Sequence, residues 1–120
     1  MGNVLIVDDE PAIGTYLSRL IVGCGHQVEI ALDASETLAK LSGGNFQLII
    51  ADIRLPDAPE PQQWIRKLCE QAKGTPVVLI SGAPSNELSD CAAQNGVLAF
   101  LSKPFELAFI KNILKTVFGN

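Results

Sequence analysis

Five polar residues, Asp8, Asp9, Asp52, Ser81 and Lys103, sit at or just past the ends of short apolar runs in this chain of 120 residues. Three carboxylates gathered in one place repel each other and raise one another's pKa values unless a cation joins them. No His or Cys lies beside them in sequence, so the donor set is all oxygen, which favours Mg2+, or Mn2+ in its place, over zinc. Mg2+ typically takes one or two carboxylates, keeps several waters and leaves room for a phosphate oxygen. Lys103 adds a fixed positive charge and Ser81 a hydroxyl donor, both suited to phosphoryl oxygens. Phosphoryl transfer needs mainly positioning and charge neutralisation, and this set of residues can provide both.

The elements that must hold these groups are legible as an alternation. Apolar runs occur at Val4 to Val7, Val28 to Ala31, Leu48 to Ala51, Val77 to Ile80 and Val97 to Leu101. Four of the five are almost continuously apolar and rich in β-branched residues, as expected of strands covered on both faces; the run carrying Glu29 is weaker and suits a sheet edge. Between them, Ile13, Tyr16, Leu17, Leu20 and Ile21 share one helical face. The same spacing recurs in Ile65, Leu68, Cys69 and Ala72 and in Ile110, Ile113, Leu114, Val117 and Phe118, which we read as core. Leu38 with Leu41, and Leu88 with Cys91 and Ala92, mark two weaker helices. Pro11 suits a first helical turn, Asp33 with Glu36 forms a capping box, Ser85 suits an N-cap, and Gly74, Gly96 and Gly119 follow helix ends. Right-handed crossovers then give an α/β fold, a doubly wound five-stranded parallel sheet of strand order 2-1-3-4-5 between two helical layers. In such sheets ligands bind beyond the carboxyl ends of the strands, where the five polar residues lie.

Composition narrows the function classes. The length and a hydrophobic fraction of 48% fit one domain over residues 1–120, with no linker, repeat or low-complexity segment. A formal net charge of −4 argues against direct binding to nucleic acid or anionic membrane. Cys24, Cys69 and Cys91 lack the spacing of a zinc site or redox pair, and we read them as reduced, half-buried thiols of a cytoplasmic protein. Neither a leader-like start nor an apolar run of membrane-spanning length is present in this sequence.

The segments VLIVDDE from Val4, LIIADIRLP from Leu48, VVLISG from Val77 and AFLSKPF from Ala99 together resemble the receiver domain of bacterial two-component response regulators. The resemblance covers essentially the whole chain and implies a flavodoxin-like, three-layer α/β/α fold. It implies that Asp52 is the phosphoacceptor, taking a phosphoryl group from a sensor histidine kinase or a histidine phosphotransfer protein. It makes Asp9 a direct Mg2+ ligand and Asp8 one acting mainly through water, with Asp52 and the backbone carbonyl of Arg54 completing the set. Lys103 would contact the phosphoryl group, and its bond to Pro104 would be cis. Ser81 and Phe100 correspond to the switch residues that respond to phosphorylation. The face made by the fourth helix, fifth strand and fifth helix would then meet an output domain or protein, or a second copy in a phosphorylation-dependent homodimer. The family promotes its own phosphorylation and dephosphorylation and is not a turnover enzyme.

Several residues depart from the family pattern. After Pro56 the chain reads Asp57-Ala58-Pro59-Glu60-Pro61, without the usual glycine and with a stiffened loop. Arg54 and Ala83 occupy positions that tune phosphoryl loss; Arg54 would obstruct an attacking water that Ala83 cannot orient. Phe100 has no hydroxyl, so switching must work through packing. His26 is expected in an exposed loop and Trp64 in the core, while Asp33, Asp57 and Asp90 read as cap or loop carboxylates. Competing readings are a receiver-like interaction module that is not phosphorylated, a small Mg2+-dependent phosphatase, and a flavodoxin-like cofactor binder. The phosphatase lacks a second acid-base carboxylate two residues past Asp52, and the cofactor binder lacks a phosphate-cradling loop after the first run. Whether the domain stands alone or forms part of a longer protein is open at this level.

Overall fold

The computed structural model describes residues 2–119, which form five strands and five helices in strict alternation. In chain order these are β1 (Asn3–Val7), α1 (Pro11–Gly23), β2 (Gln27–Ala31), α2 (Ala34–Gly43), β3 (Leu48–Asp52), α3 (Pro61–Ala72), β4 (Val77–Ser81), α4 (Asn86–Gln94), β5 (Ala99–Ser102) and α5 (Leu107–Phe118). All strand pairs are parallel, in the order β2-β1-β3-β4-β5. The weaker run carrying Glu29 is indeed an edge strand. No helix among the described residues is long and apolar enough to cross a membrane.

Alternation along each inner strand divides the core in two. Leu5, Val7, Ile49, Ala51, Val77 and Leu79 pack with α2, α3 and α4, while Val4, Ile6, Leu48, Ile50, Val78 and Ile80 pack with α1 and α5. Side chains that alternate between two covered faces explain why these strands are apolar throughout. The sheet reverses its winding between β1 and β3, so the open crevice falls beside Asp8 and Asp52.

Most caps follow the sequence. Pro11 opens α1, the Asp33 carboxylate accepts from the Glu36 amide at 2.7 Å, and the Ser85 hydroxyl accepts from the Leu88 amide at 3.1 Å. Glu36 differs from a strict capping box, because its carboxylate accepts from the Leu32 amide at 2.8 Å and not from Asp33. Asp90 is exposed within α4, neither cap nor loop, and the thiols span the whole range, with Cys24 exposed, Cys69 intermediate and Cys91 buried.

The fifth strand starts two residues later than the apolar run suggests. Gly96 has φ +74°, and the amides of Gly96 and Val97 turn back onto the carbonyls of Ala93 and Ala92, the Schellman closure of α4. Val97 therefore still belongs to the helix end. The same closure accounts for His26, which is buried instead of exposed. Gly25, at φ +95°, donates to Val22 and His26 to Ile21, which turns the imidazole inward. There its Nδ1 accepts from the Gly2 amide at 3.1 Å and its ring stacks on Phe118 with centroids 4.2 Å apart. The ring thus joins the start of the chain to its last helix.

Burial pushes the His26 pKa below its ordinary value of 6.5. Its contribution to stability is therefore complete above that value and is lost as pH falls through the lowered one. Urea midpoints taken at about pH 7.5 and 5.5 should separate more for wild type than for His26→Gln. Equal separations would remove His26 as the source.

Candidate functional site

One local device recurs at three neighbouring strand ends. The side-chain oxygen of a residue at or just past the strand end accepts from the amide two residues on: Asp8 from Glu10 at 2.9 Å, Asp52 from Arg54 at 3.1 Å, and Ser81 from Ala83 at 3.1 Å. Such turns give the backbone a polar partner where the ladder stops. They also fix the side chain, so each oxygen faces the crevice edge with little rotational freedom. Asp8, Asp52 and Ser81 are all buried, and among the described residues no buried side-chain polar atom lacks a partner.

The fifth strand brings the charge that holds this group together. The Lys103 amide donates to the Ser81 carbonyl at 2.8 Å, and the following bond to Pro104 is cis, as expected. The Lys103 ammonium then lies 3.0 Å from Asp52 Oδ2, 3.1 Å from Asp8 Oδ2 and 3.2 Å from Glu10 Oε1. Burial alone would lower the lysine pKa, but hydrogen bonds to Asp52 and Asp8, with their charges, outweigh it and hold the ammonium above the ordinary lysine range. Burial raises the Asp8 carboxyl despite the Glu10 amide and Lys103, and the charge of Asp52 adds to that rise.

Sequence and structure differ on which acidic residues meet. Asp8, Glu10 and Asp52 offer oxygens within 4.8 Å of one another, whereas Asp9 is exposed and outside that group. Glu10, to which the sequence assigns no role, is the N-cap of α1, and its carboxylate leaves the helix end for Lys103. Arg54 presents its amide to Asp52, while its side chain is exposed and enters no salt bridge among the described residues. Phe100 is half-buried, packs on the α2, α3 and α4 side of the core, and lines open grooves of about 340 and 380 Å3 on either side of β5. Trp64, fully buried, touches the site from behind: its indole Nε1 donates to the Asp52 carbonyl at 3.4 Å. Its helical position gave the burial, but nothing in the sequence marks the hydrogen bond.

Three carboxylates against one ammonium leave the pocket formally short of two positive charges. An all-oxygen donor set with that residual charge fits a hard divalent cation such as Mg2+. The same imbalance makes Lys103 a structural element. Lys103→Met should lower stability by about 2–3 kcal/mol near neutral pH, because it strands buried carboxylates without a counterion. The deficit should narrow towards about pH 5 as the Asp8 carboxyl, raised by burial, takes up a proton. Urea denaturation at both pH values checks this, and an unchanged deficit would count against it.

A family model for the response regulator receiver domain matches residues 4–115. Among curated proteins, the transcriptional regulatory protein TcrA of Mycobacterium tuberculosis is 28% identical over 107 residues, covering 88% of this chain and 41% of that protein. The chain thus spans less than half the length of this relative. A CheY-like response regulator receiver domain protein from Methanospirillum hungatei superposes with a TM-score of 0.89 at 30% identity, covering 99% of this chain and 95% of that one. The Vibrio cholerae chemotaxis protein CheY4 gives 0.84 at 29% identity, covering 98% of each chain. With the five-stranded order and the strand-end carboxylates, these matches settle the family: the chain belongs to the response regulator receiver domains of two-component signal transduction.

Proposed function

We propose that Asp52 accepts a phosphoryl group from a phosphohistidine of a sensor kinase or phosphotransfer protein, in the cytoplasm, and that Asp8, Asp9, Asp52 and the Arg54 carbonyl hold Mg2+ beside it. The observation that carries this reading is the single ammonium of Lys103 bridging Asp8 and Asp52 at the carboxyl edge of the sheet. The Asp9 carboxylate takes part in no side-chain hydrogen bond or salt bridge among the described residues, so nothing there opposes its turning towards an ion. Bound there, the cation supplies charge neutralisation for the carboxylates and for a phosphoryl oxygen.

The residues of the chain do the rest. A carboxylate oxygen of Asp52 attacks phosphorus; the new O–P bond forms as the N–P bond to the donor imidazole breaks, and the imidazole leaves. Lys103, already 3.0 Å from Asp52, follows the added charge onto the phosphoryl oxygens. Ser81 exchanges its role as acceptor from the Ala83 amide for one as donor to the phosphoryl group. Phe100, flanked by the two grooves, repacks in response, and this changes the α4, β5 and α5 face offered to an output domain, a separate protein or a second copy. The chain promotes its own modification and its slow reversal without turning over a substrate. The exposed Arg54 side chain covers the phosphoryl oxygens against water, and Ala83 offers no group to orient one.

Incubation with acetyl phosphate and Mg2+ should add one phosphoryl mass to the intact protein, and neither Asp52→Asn nor a chelated wild-type sample should gain it. Absence of the gain from wild type that still binds Mg2+ would favour a partner-specific or unphosphorylated module. In a decay assay Arg54→Asn should lose the phosphoryl group several-fold faster than wild type. Equal or slower loss would end the role given to that side chain.

A further inference from the structure

The loop between β3 and α3 carries Arg54 and then the departure from the family pattern, and it is anchored by a residue far from α2 in sequence. Asp57 Oδ1 accepts from the Ala34 amide at 2.7 Å, and its Oδ2 from the Ser35 amide at 3.0 Å. These are the first two residues of α2, whose orphan amides would otherwise face solvent. The ordinary N-cap, Asp33, serves the next amide, that of Glu36, at 2.7 Å. The helix end is therefore shared, and the distant carboxylate takes two of the three amides. Both amides hold the Asp57 carboxyl below its ordinary pKa, as expected of a carboxylate that works ionised.

Only Leu55 and Pro56 separate this anchor from Arg54. Leu55 is buried, its carbonyl accepts from the Ala58 amide at 3.2 Å, and Pro56 has its φ fixed by the ring. A short, stiff span of this kind transmits a fixed position from one end to the other. We propose that Asp57 is a positioning residue: by clamping the loop to the N-terminus of α2 it fixes the backbone at Arg54, whose amide holds the Asp52 carboxylate and whose carbonyl belongs to the Mg2+ ligand set proposed above. The part concerning the carbonyl rests on the Mg2+ reading above, whereas the hold on the Arg54 amide does not.

The test compares wild type with Asp57→Ala, Asp57→Asn and Asp33→Ala. Asp33→Ala removes a cap from the same helix without touching the loop, so it reports what loss of helix capping alone does. Amide exchange followed by NMR at Arg54 and Ala58, with Leu79 as a core reference, reads the clamp; calorimetric titration with Mg2+ alone reads its effect on the ion site. Asp57→Ala should speed exchange at Arg54 about fivefold, the size of a lost cap, and weaken Mg2+ binding about tenfold. Asp57→Asn, with one carbonyl oxygen left to accept, should fall between it and wild type, and Asp33→Ala should leave Arg54 exchange and Mg2+ affinity at wild-type values. If Asp57→Ala and Asp33→Ala lower the melting temperature alike and neither changes Arg54 exchange, Asp57 is a cap only and the proposal falls. If wild type binds no Mg2+ while Asp57→Ala still frees the Arg54 amide, the clamp stands and the Mg2+ reading is what fails.

Discussion

Asp8 and Asp52 are buried carboxylates with one buried-side counterion between them, and most of the fold can be read as the means of keeping them there. Two like charges held close at the edge of an apolar sheet are costly unless a cation of fixed position compensates them. Lys103 is that cation, and it directly follows a strand two places away from β3 in the sheet, 51 residues from Asp52 in sequence. The parallel order is what makes this possible, since it places every strand's carboxyl end on the same edge. An antiparallel neighbour would send its last residue to the opposite edge.

Within that frame, precision comes from short-range turns. Asp8, Asp52 and Ser81 are each held by the amide two residues downstream, so the same bond that ends the strand also aims the side chain. The indole of Trp64 and the carboxylate of Asp57 support the β3 end from α3 and from the loop before it. Asp52 is thus braced on both sides of its own peptide unit, while its Oδ2 faces Lys103. A rigid backbone behind the carboxylate suits the phosphoacceptor role proposed for Asp52.

The order of the sheet, its edge strand, the two cores and the meeting of Asp8, Asp52, Ser81 and Lys103 were all legible, because they depend on periodicity and on strand ends. What escaped depends on geometry finer than periodicity. Consecutive residues after a strand diverge in direction, so the run Asp8-Asp9-Glu10 could not say which carboxylates turn inward; the structure chooses the first and third. Burial of His26 follows from Gly25 closing α1 with a positive φ, a glycine whose place next to Gly23 and Cys24 gave no clear helix end. Long-range hydrogen bonds such as Trp64 to Asp52 and Asp57 to α2 leave no trace in local pattern at all.

The proline-rich loop shows why one apparent defect in the sequence is harmless. A glycine is needed where the backbone must take a left-handed φ. Among the described residues that conformation occurs at Gly25, Gly74, Gly96, Gly119 and the non-glycine Lys73, and nowhere between β3 and α3. The loop turns instead through the bond from the Ala58 amide to the Leu55 carbonyl, stays on the surface of the core through Ile53 and Leu55, and enters α3 at Pro61, a first helical position that suits proline. Glycine would offer freedom that this path does not use. Proline removes conformations from the unfolded chain while leaving the folded path intact, so the substitution pattern favours a fixed loop beside Asp52 over a mobile one.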